Sequence, residues 1–140
     1  TNNASEYVVF QAVHAPNVPI TEKTIPFAEN FKERYGNYPS YAGYTTYDEV
    51  YIIADAIERA GTTEPDALVE ALEKTDYTGT IGQIQFYGKD DRFTHGIKFG
   101  EGGVQGLLLQ YQDGEQVVIW PEDLATGKLK FPDYMDISGS

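Results

Sequence analysis

The chain has 140 residues, of which 41% are hydrophobic and 23% charged, a composition that supports a folded core rather than disorder. Its 22 Asp+Glu against 10 Lys+Arg give a net charge of −12, which argues against a nucleic-acid backbone or an anionic membrane surface as partner, because both need clustered cations. Cysteine is absent, which excludes disulfides, thiolate metal sites and a Cys nucleophile, and no apolar run reaches the roughly 18 residues of a membrane helix. The sequence opens at Thr1 without a Met or a signal-peptide pattern, so the natural start is expected to be missing or processed away.

In chain order, residues 6–13 are rich in β-branched and aromatic side chains and predict a mostly buried strand. Residues 14–19 follow as a connector that Pro16 and Pro19 keep extended. Thr24 reads as the N-cap of a first helix that places Phe27, Ala28, Phe31 and Tyr35 on one face and ends at Gly36. A second helix is predicted over Thr46–Ala60, with Tyr47, Val50, Tyr51, Ala54 and Ile57 at 3.6-residue spacing as its core face and Gly61 as its stop. Thr63 reads as the cap of a short third helix, with Leu68, Val69 and Leu72 inward.

From Gly79 onward glycine and β-formers dominate. Strands are predicted over 82–87 and 96–99, with a polar turn at 88–91. Residues 106–112 and 116–120 flank Asp113-Gly114, a β-hairpin signal. Residues 121–140 read as loop with a polar tail ending Ser138–Ser140. The layout is mixed α/β, helices first and antiparallel strands after.

Catalytic constellations find little support. The only histidines, His14 and His95, lie far apart without flanking ligand patterns, so no metal site is expected. Asp90-Asp91 lacks calcium-loop spacing and reads as a turn. The glycines at 100, 102, 103 and 106 precede a strand rather than a helix, which is the wrong context for a phosphate loop. No Gly-x-Ser-x-Gly occurs, and Glu122-Asp123 reads as a solvated acidic pair.

Tyrosine is the informative residue. There are eleven, and Tyr38, Tyr41, Tyr44 and Tyr47 fall within ten positions at the expected start of the second helix. Tyr47 would open that helix, with the others in an irregular segment before it. Rings beside a helix N-terminus can form a ligand wall, with free N–H groups favouring a carboxylate. Covering core and interface surface is the commoner role of such rings.

Several runs carry a resemblance: residues 27–36, then 39–48, 56–61, 67–72 and 77–82, closing with the Gln110–Gly114 run and residues 118–121. In this order, over roughly residues 6–132, they resemble the C-terminal part of the branched-chain amino-acid (Leu/Ile/Val-type) binding proteins of bacterial ABC importers. The resemblance implies a type I periplasmic binding fold, in which two α/β lobes joined by three crossovers close on a ligand, in a protein more than twice as long. Residues 1–20 would be the end of the C-terminal lobe and a crossover, 21–103 the C-terminal part of the N-terminal lobe, and 104–140 the return to the C-terminal lobe and tail.

The implied function is extracytoplasmic solute binding, periplasmic or extracellular, with a lipid anchor on a missing N-terminal portion. The implied partners are an amino acid or aromatic acid, that N-terminal portion and an ABC permease. Neither enzymatic activity nor a cofactor is implied. A ligand-sensing receptor domain of the same fold is the alternative. By position the resemblance makes Tyr44 the leading ligand contact, with Tyr41 and Tyr47 beside it and Glu6 as a group for an ammonium. Lacking the rest of its sheets, the chain alone would leave open strand edges and be unstable or self-associate.

Overall fold

In the computed structural model, residues 5–135 are described, so the Ser138–Ser140 end of the expected tail lies outside them. The first strand, β1, is Val9–Ala12, shorter than expected. Tyr7 in the left-handed region (φ 65°) breaks the extended run before it. β1 alternates exposed and half-buried residues instead of being mostly buried, because it is the edge of its sheet.

Helix α1 (Thr24–Tyr35) begins at Thr24, and Lys23 rather than Thr24 is its N-cap. The Thr24 hydroxyl instead donates across the fold to the Thr80 carbonyl at 2.7 Å. Helix α2 (Tyr41–Ala60) starts five residues before the expected Thr46, at an extended Ser40 that follows Pro39. Tyr41 and Tyr44 therefore belong to its first turn, and Tyr47 lies further along it. Both helices stop at the expected glycines, Gly36 (φ 80°) and Gly61 (φ 64°).

The core face of α2 differs from the one hydropathy selects. Tyr44, Asp48, Ile52 and Ala56 are buried, at the four-residue spacing of one helix face. Tyr47, Val50 and Tyr51 are 36%, 61% and 50% exposed. The predicted stripe is the more apolar one, but the stripe that packs holds an aspartate whose bonding partners lie elsewhere in the chain.

Helix α3 (Pro65–Glu73) is capped by Glu64, not Thr63, with Pro65 at its start. It buries Ala71 and half-buries Leu68 and Leu72, while Val69 is exposed. The Arg59 guanidinium ties α2 to α3 by donating to the Ala71 carbonyl at 2.6 Å.

Beyond α3, β2 (Asp76–Thr78) pairs antiparallel with β3 (Gln83–Gln85). The expected 82–87 strand is thus confined to its middle, and 96–99 makes isolated bridges such as Phe86 with Ile97. β4 (Leu107–Gln112) and β5 (Glu115–Trp120) form the predicted hairpin, with Asp113 (φ 56°) and Gly114 (φ 84°) both left-handed. The three-stranded sheet runs β1-β4-β5, all antiparallel.

After β5 the chain folds back over this sheet. Gln110 donates to the Lys130 carbonyl and accepts from the Lys130 N–H, at 2.9 and 2.8 Å, and Gln112 donates to the Lys128 carbonyl at 2.7 Å. These side-chain amides satisfy backbone that has no strand partner.

Two hydrophobic clusters result. One holds Ala28, Tyr44, Ile52, Ile81, Ile84 and Val104; the other holds Ala15, Val18, Leu107, Leu109 and Val118. Val13 reaches the first cluster from between Ala12 and Ala15 of the second, and the chain then passes into the first cluster between Ile20 and Phe27 and returns to the second between Val104 and Leu107.

Candidate functional site

The first turn of α2 and the passage at residues 13–15 meet at Tyr44 and His14. Their rings lie 4.6 Å apart, and Phe27 from α1 meets the Tyr44 ring edge-on at 5.1 Å. Tyr44 is completely buried in this chain. Its hydroxyl and the Nδ1 of His14 are buried and have no hydrogen-bond partner. Burial pushes the Tyr44 hydroxyl up to about 12, so it stays protonated and can donate. Burial also lowers the pKa of His14, favouring the neutral imidazole. An orphaned phenol beside a neutral imidazole offers a donor and an acceptor to a polar group that reaches them.

Behind Tyr44, one turn along α2, the Asp48 carboxylate accepts from the Thr80 backbone N–H at 2.8 and 2.9 Å and from the Thr80 hydroxyl at 2.9 Å. Burial raises the pKa of Asp48, and the Thr80 hydroxyl and the Thr80 and Ile81 N–H groups pull in the opposite direction. The same loop is tied to the start of α1, with the Thr21 hydroxyl donating to the Gly79 carbonyl at 2.6 Å and Thr24 holding Thr80. A side chain at Gly79 would not fit: its Cβ would stand 2.5 Å from the Asp48 Oδ2 and 2.7 Å from the Ile84 Cδ1. The 79–81 loop thus fixes α2, and with it Tyr44, against the entry to α1.

The four residues singled out from the sequence separate. Tyr41 shares the first turn of α2 with Tyr44 but is 69% exposed. Tyr47 packs against Phe27 at 4.4 Å between ring centroids and faces the groove between α1 and α2, not the core. Glu6 accepts from the Asp113 N–H at 2.9 Å at the hairpin-turn end of the sheet, with β1 between it and His14. The tyrosines and Glu6 are not brought together.

Sequence reasoning set His14 aside with the metal question and gave Asp48 and Thr80 no role in the site, although both fall in runs that carry the resemblance. The signal for Asp48 was its position, four residues after Tyr44 and four before Ile52. Among the described residues, no group of three or more His, Cys, Asp or Glu converges to hold a metal.

Helices and antiparallel strands are divided between two hydrophobic clusters. Residues 2–106 match the family model described as periplasmic binding protein, and the chain belongs to that family. It is similar to the Leu/Ile/Val-binding protein homolog 8 of Brucella abortus (strain 2308), 29% identical over 123 residues, covering 84% of this chain and 28% of that protein. Among solved structures, a branched-chain amino acid ABC transporter protein of Silicibacter pomeroyi, there termed putative, superimposes with a TM-score of 0.71 at 22% identity, over 94% of this chain and 36% of that one. An ABC transporter substrate-binding protein of Desulfitobacterium hafniense, in complex with Leu, superimposes with a TM-score of 0.65 at 24% identity, over 81% and 31%. The chain thus spans about 28% of the length of the curated relative. At these identities the structures establish the type I periplasmic binding fold.

Proposed function

We propose that this chain is part of the extracytoplasmic solute-binding component of an ABC importer, which captures an amino acid or similar small amphipathic solute between two lobes. The observation that carries the reading is the position of Tyr44 and His14, with unpartnered polar atoms, where the chain passes between the two hydrophobic clusters. In this reading residues 1–20 end the C-terminal lobe and cross over, 21–103 belong to the N-terminal lobe, and 104–140 return to the C-terminal lobe. Lobe closure is a hinge motion stabilised by contacts made only in the closed state.

Tyr44 is the proposed ligand contact, through its hydroxyl, with Tyr41 as its exposed neighbour on the same turn. Tyr47 and Glu6 are weaker candidates, because one faces the α1–α2 groove and the other holds the far end of the sheet. Leu in the Desulfitobacterium hafniense complex supports an amino-acid ligand. The role is binding without turnover, outside the cytoplasm, with a permease and the rest of the polypeptide as partners and a lipid anchor upstream.

The test is calorimetric titration of L-leucine, and of a benzoate as the aromatic-acid probe, into a polypeptide carrying both lobes. Saturable binding weakened by Tyr44→Phe is expected. Binding of either probe with affinity untouched by Tyr44→Phe removes Tyr44 from the site, and binding of neither removes this ligand class.

A further inference from the structure

Tyr44, whose hydroxyl is the proposed ligand contact, is closed off from solvent in this chain. Phe27 meets its ring edge-on from α1, and Ala28 belongs with it to the first hydrophobic cluster. Those contacts are core packing. His14 is a different kind of neighbour, because it comes from a connector and carries a polar ring. Its imidazole lies against the Tyr44 ring at 4.6 Å between centroids, with the two planes 32° apart, and is only half-buried.

The connector anchors the backbone of His14 and leaves its ring unheld. Val13 packs against the first cluster and Ala15 is fully buried in the second, so the main chain is fixed on both sides. The Nδ1 of His14 is buried without a partner, and so is the Tyr44 hydroxyl. Burial favours the neutral imidazole, so charge does not hold the ring either. The ring pair hides apolar surface but strands two buried polar atoms, which costs more than the attraction between the rings returns. A solute that takes the place of the imidazole covers the same surface and gives the hydroxyl a partner. Rotation of one side chain makes the room, and it is far faster than a hinge motion.

We propose that His14 is a displaceable cover over Tyr44: without solute the imidazole occupies the ring face on which the solute binds, and the solute enters as the His14 side chain swings off. The inference rests on the reading of the Tyr44 hydroxyl as a ligand contact. A cover and a contact differ in sign. Removing a contact weakens binding, whereas removing a cover tightens it, because the apparent dissociation constant is the intrinsic one divided by the uncovered fraction. With about two-thirds of the molecules covered, removing the cover tightens binding about threefold.

Calorimetric titration of L-leucine into a polypeptide carrying both lobes reads that sign. His14→Ala, which uncovers the ring, binds about threefold or more tightly than wild type. His14→Phe, which keeps a flat cover and strands no ring nitrogen, binds about threefold or more weakly. Circular dichroism checks that both variants fold, and if His14→Ala does not, the weakening in His14→Phe carries the test by itself. Binding that Tyr44→Phe weakens but His14→Ala leaves unchanged or weakens overturns the cover alone. So does a His14→Phe variant that binds as tightly as wild type or more so. A wild-type polypeptide that binds neither L-leucine nor a benzoate, or whose affinity Tyr44→Phe does not touch, takes away the Tyr44 reading and the cover with it.

Discussion

Asp48 and Thr80 hold one another through both oxygens of the carboxylate and both the N–H and the hydroxyl of the threonine, in a place neither reaches water. The pair joins the middle of α2 to the turn before β3, and it stands one helical turn behind Tyr44. Replacing Asp48 by Ala leaves a buried N–H and a buried hydroxyl unsatisfied. Asp48→Ala is expected to lower stability by about 3 kcal/mol, the cost of stranding two buried polar groups. Asp48→Asn, which keeps one acceptor, should lose less. Urea unfolding of the variants measures both, and a loss near zero for Asp48→Ala would show that the pair does not hold the loop. The ionisation of Asp48 adds a pH signature. Its folded pKa is raised above the ordinary 3.8, so its favourable contribution is complete below 3.8 and is lost as pH rises through the raised value. The stability of the wild-type chain relative to Asp48→Asn should therefore fall over that interval as pH increases.

Gly79 is bound to the same pair by contact. Its missing side chain is the space that the Asp48 carboxylate and the Ile84 methyl occupy. Neither neighbour is a flexible end that can swing clear, since Asp48 is pinned by Thr80 and Ile84 is buried in the first cluster. Gly79→Ala is expected to cost about 2 kcal/mol, in the range of overpacked core positions. In the Asp48→Ala background the crowding is relieved, so the Gly79→Ala cost should shrink. A double-mutant cycle by urea unfolding reads that coupling, and strictly additive losses would contradict the shared space.

Local chemistry made part of this fold readable in advance, and long-range pairing hid the rest. The β4–β5 hairpin is written in Asp113-Gly114, whose left-handed backbone the two residue types favour. The ends of α1 and α2 are written in Gly36 and Gly61 for the same reason. The face of α2 is not written there, because hydropathy ranks Tyr47, Val50 and Tyr51 above a stripe containing Asp48. Only Thr80, 32 positions away, makes that aspartate compatible with a core. The start of α2 is hidden because Tyr41 is a middling and Gly43 a poor helix former, and the extended Ser40 after Pro39 sets the boundary. At the candidate site Tyr44 was singled out by its position in the resemblance, whereas its partner His14 comes from a connector whose approach to α2 no periodicity encodes.

His14 gives the second pH signature. Burial lowers its folded pKa below the ordinary 6.5, so the stability it contributes is present above 6.5 and is lost as pH falls through the lowered value. Thermal melts should show the chain losing stability on acidification in that window more steeply than His14→Phe, which cannot be protonated. His95→Gln is the control, since that histidine sits half-exposed against Glu73 at 2.8 Å. Identical slopes for wild type and His14→Phe would mean that protonation of His14 is not felt by the fold.

Tyr44 separates packing from recognition. Because the ring is completely buried among Phe27, His14 and Ala28, Tyr44→Ala empties core space and is expected to cost about 4 kcal/mol. Tyr44→Phe keeps the ring and removes only a hydroxyl that has no partner in this chain. Deleting an unsatisfied buried hydroxyl should leave stability unchanged or raise it by about 1 kcal/mol. If the hydroxyl instead serves a ligand, the same variant weakens L-leucine binding by about 1 kcal/mol or more in a two-lobed polypeptide, while its unfolding midpoint without ligand does not fall. Opposite signs for stability and affinity in one variant are what a residue kept for binding shows, whereas a stability loss in Tyr44→Phe would mark the hydroxyl as part of the fold.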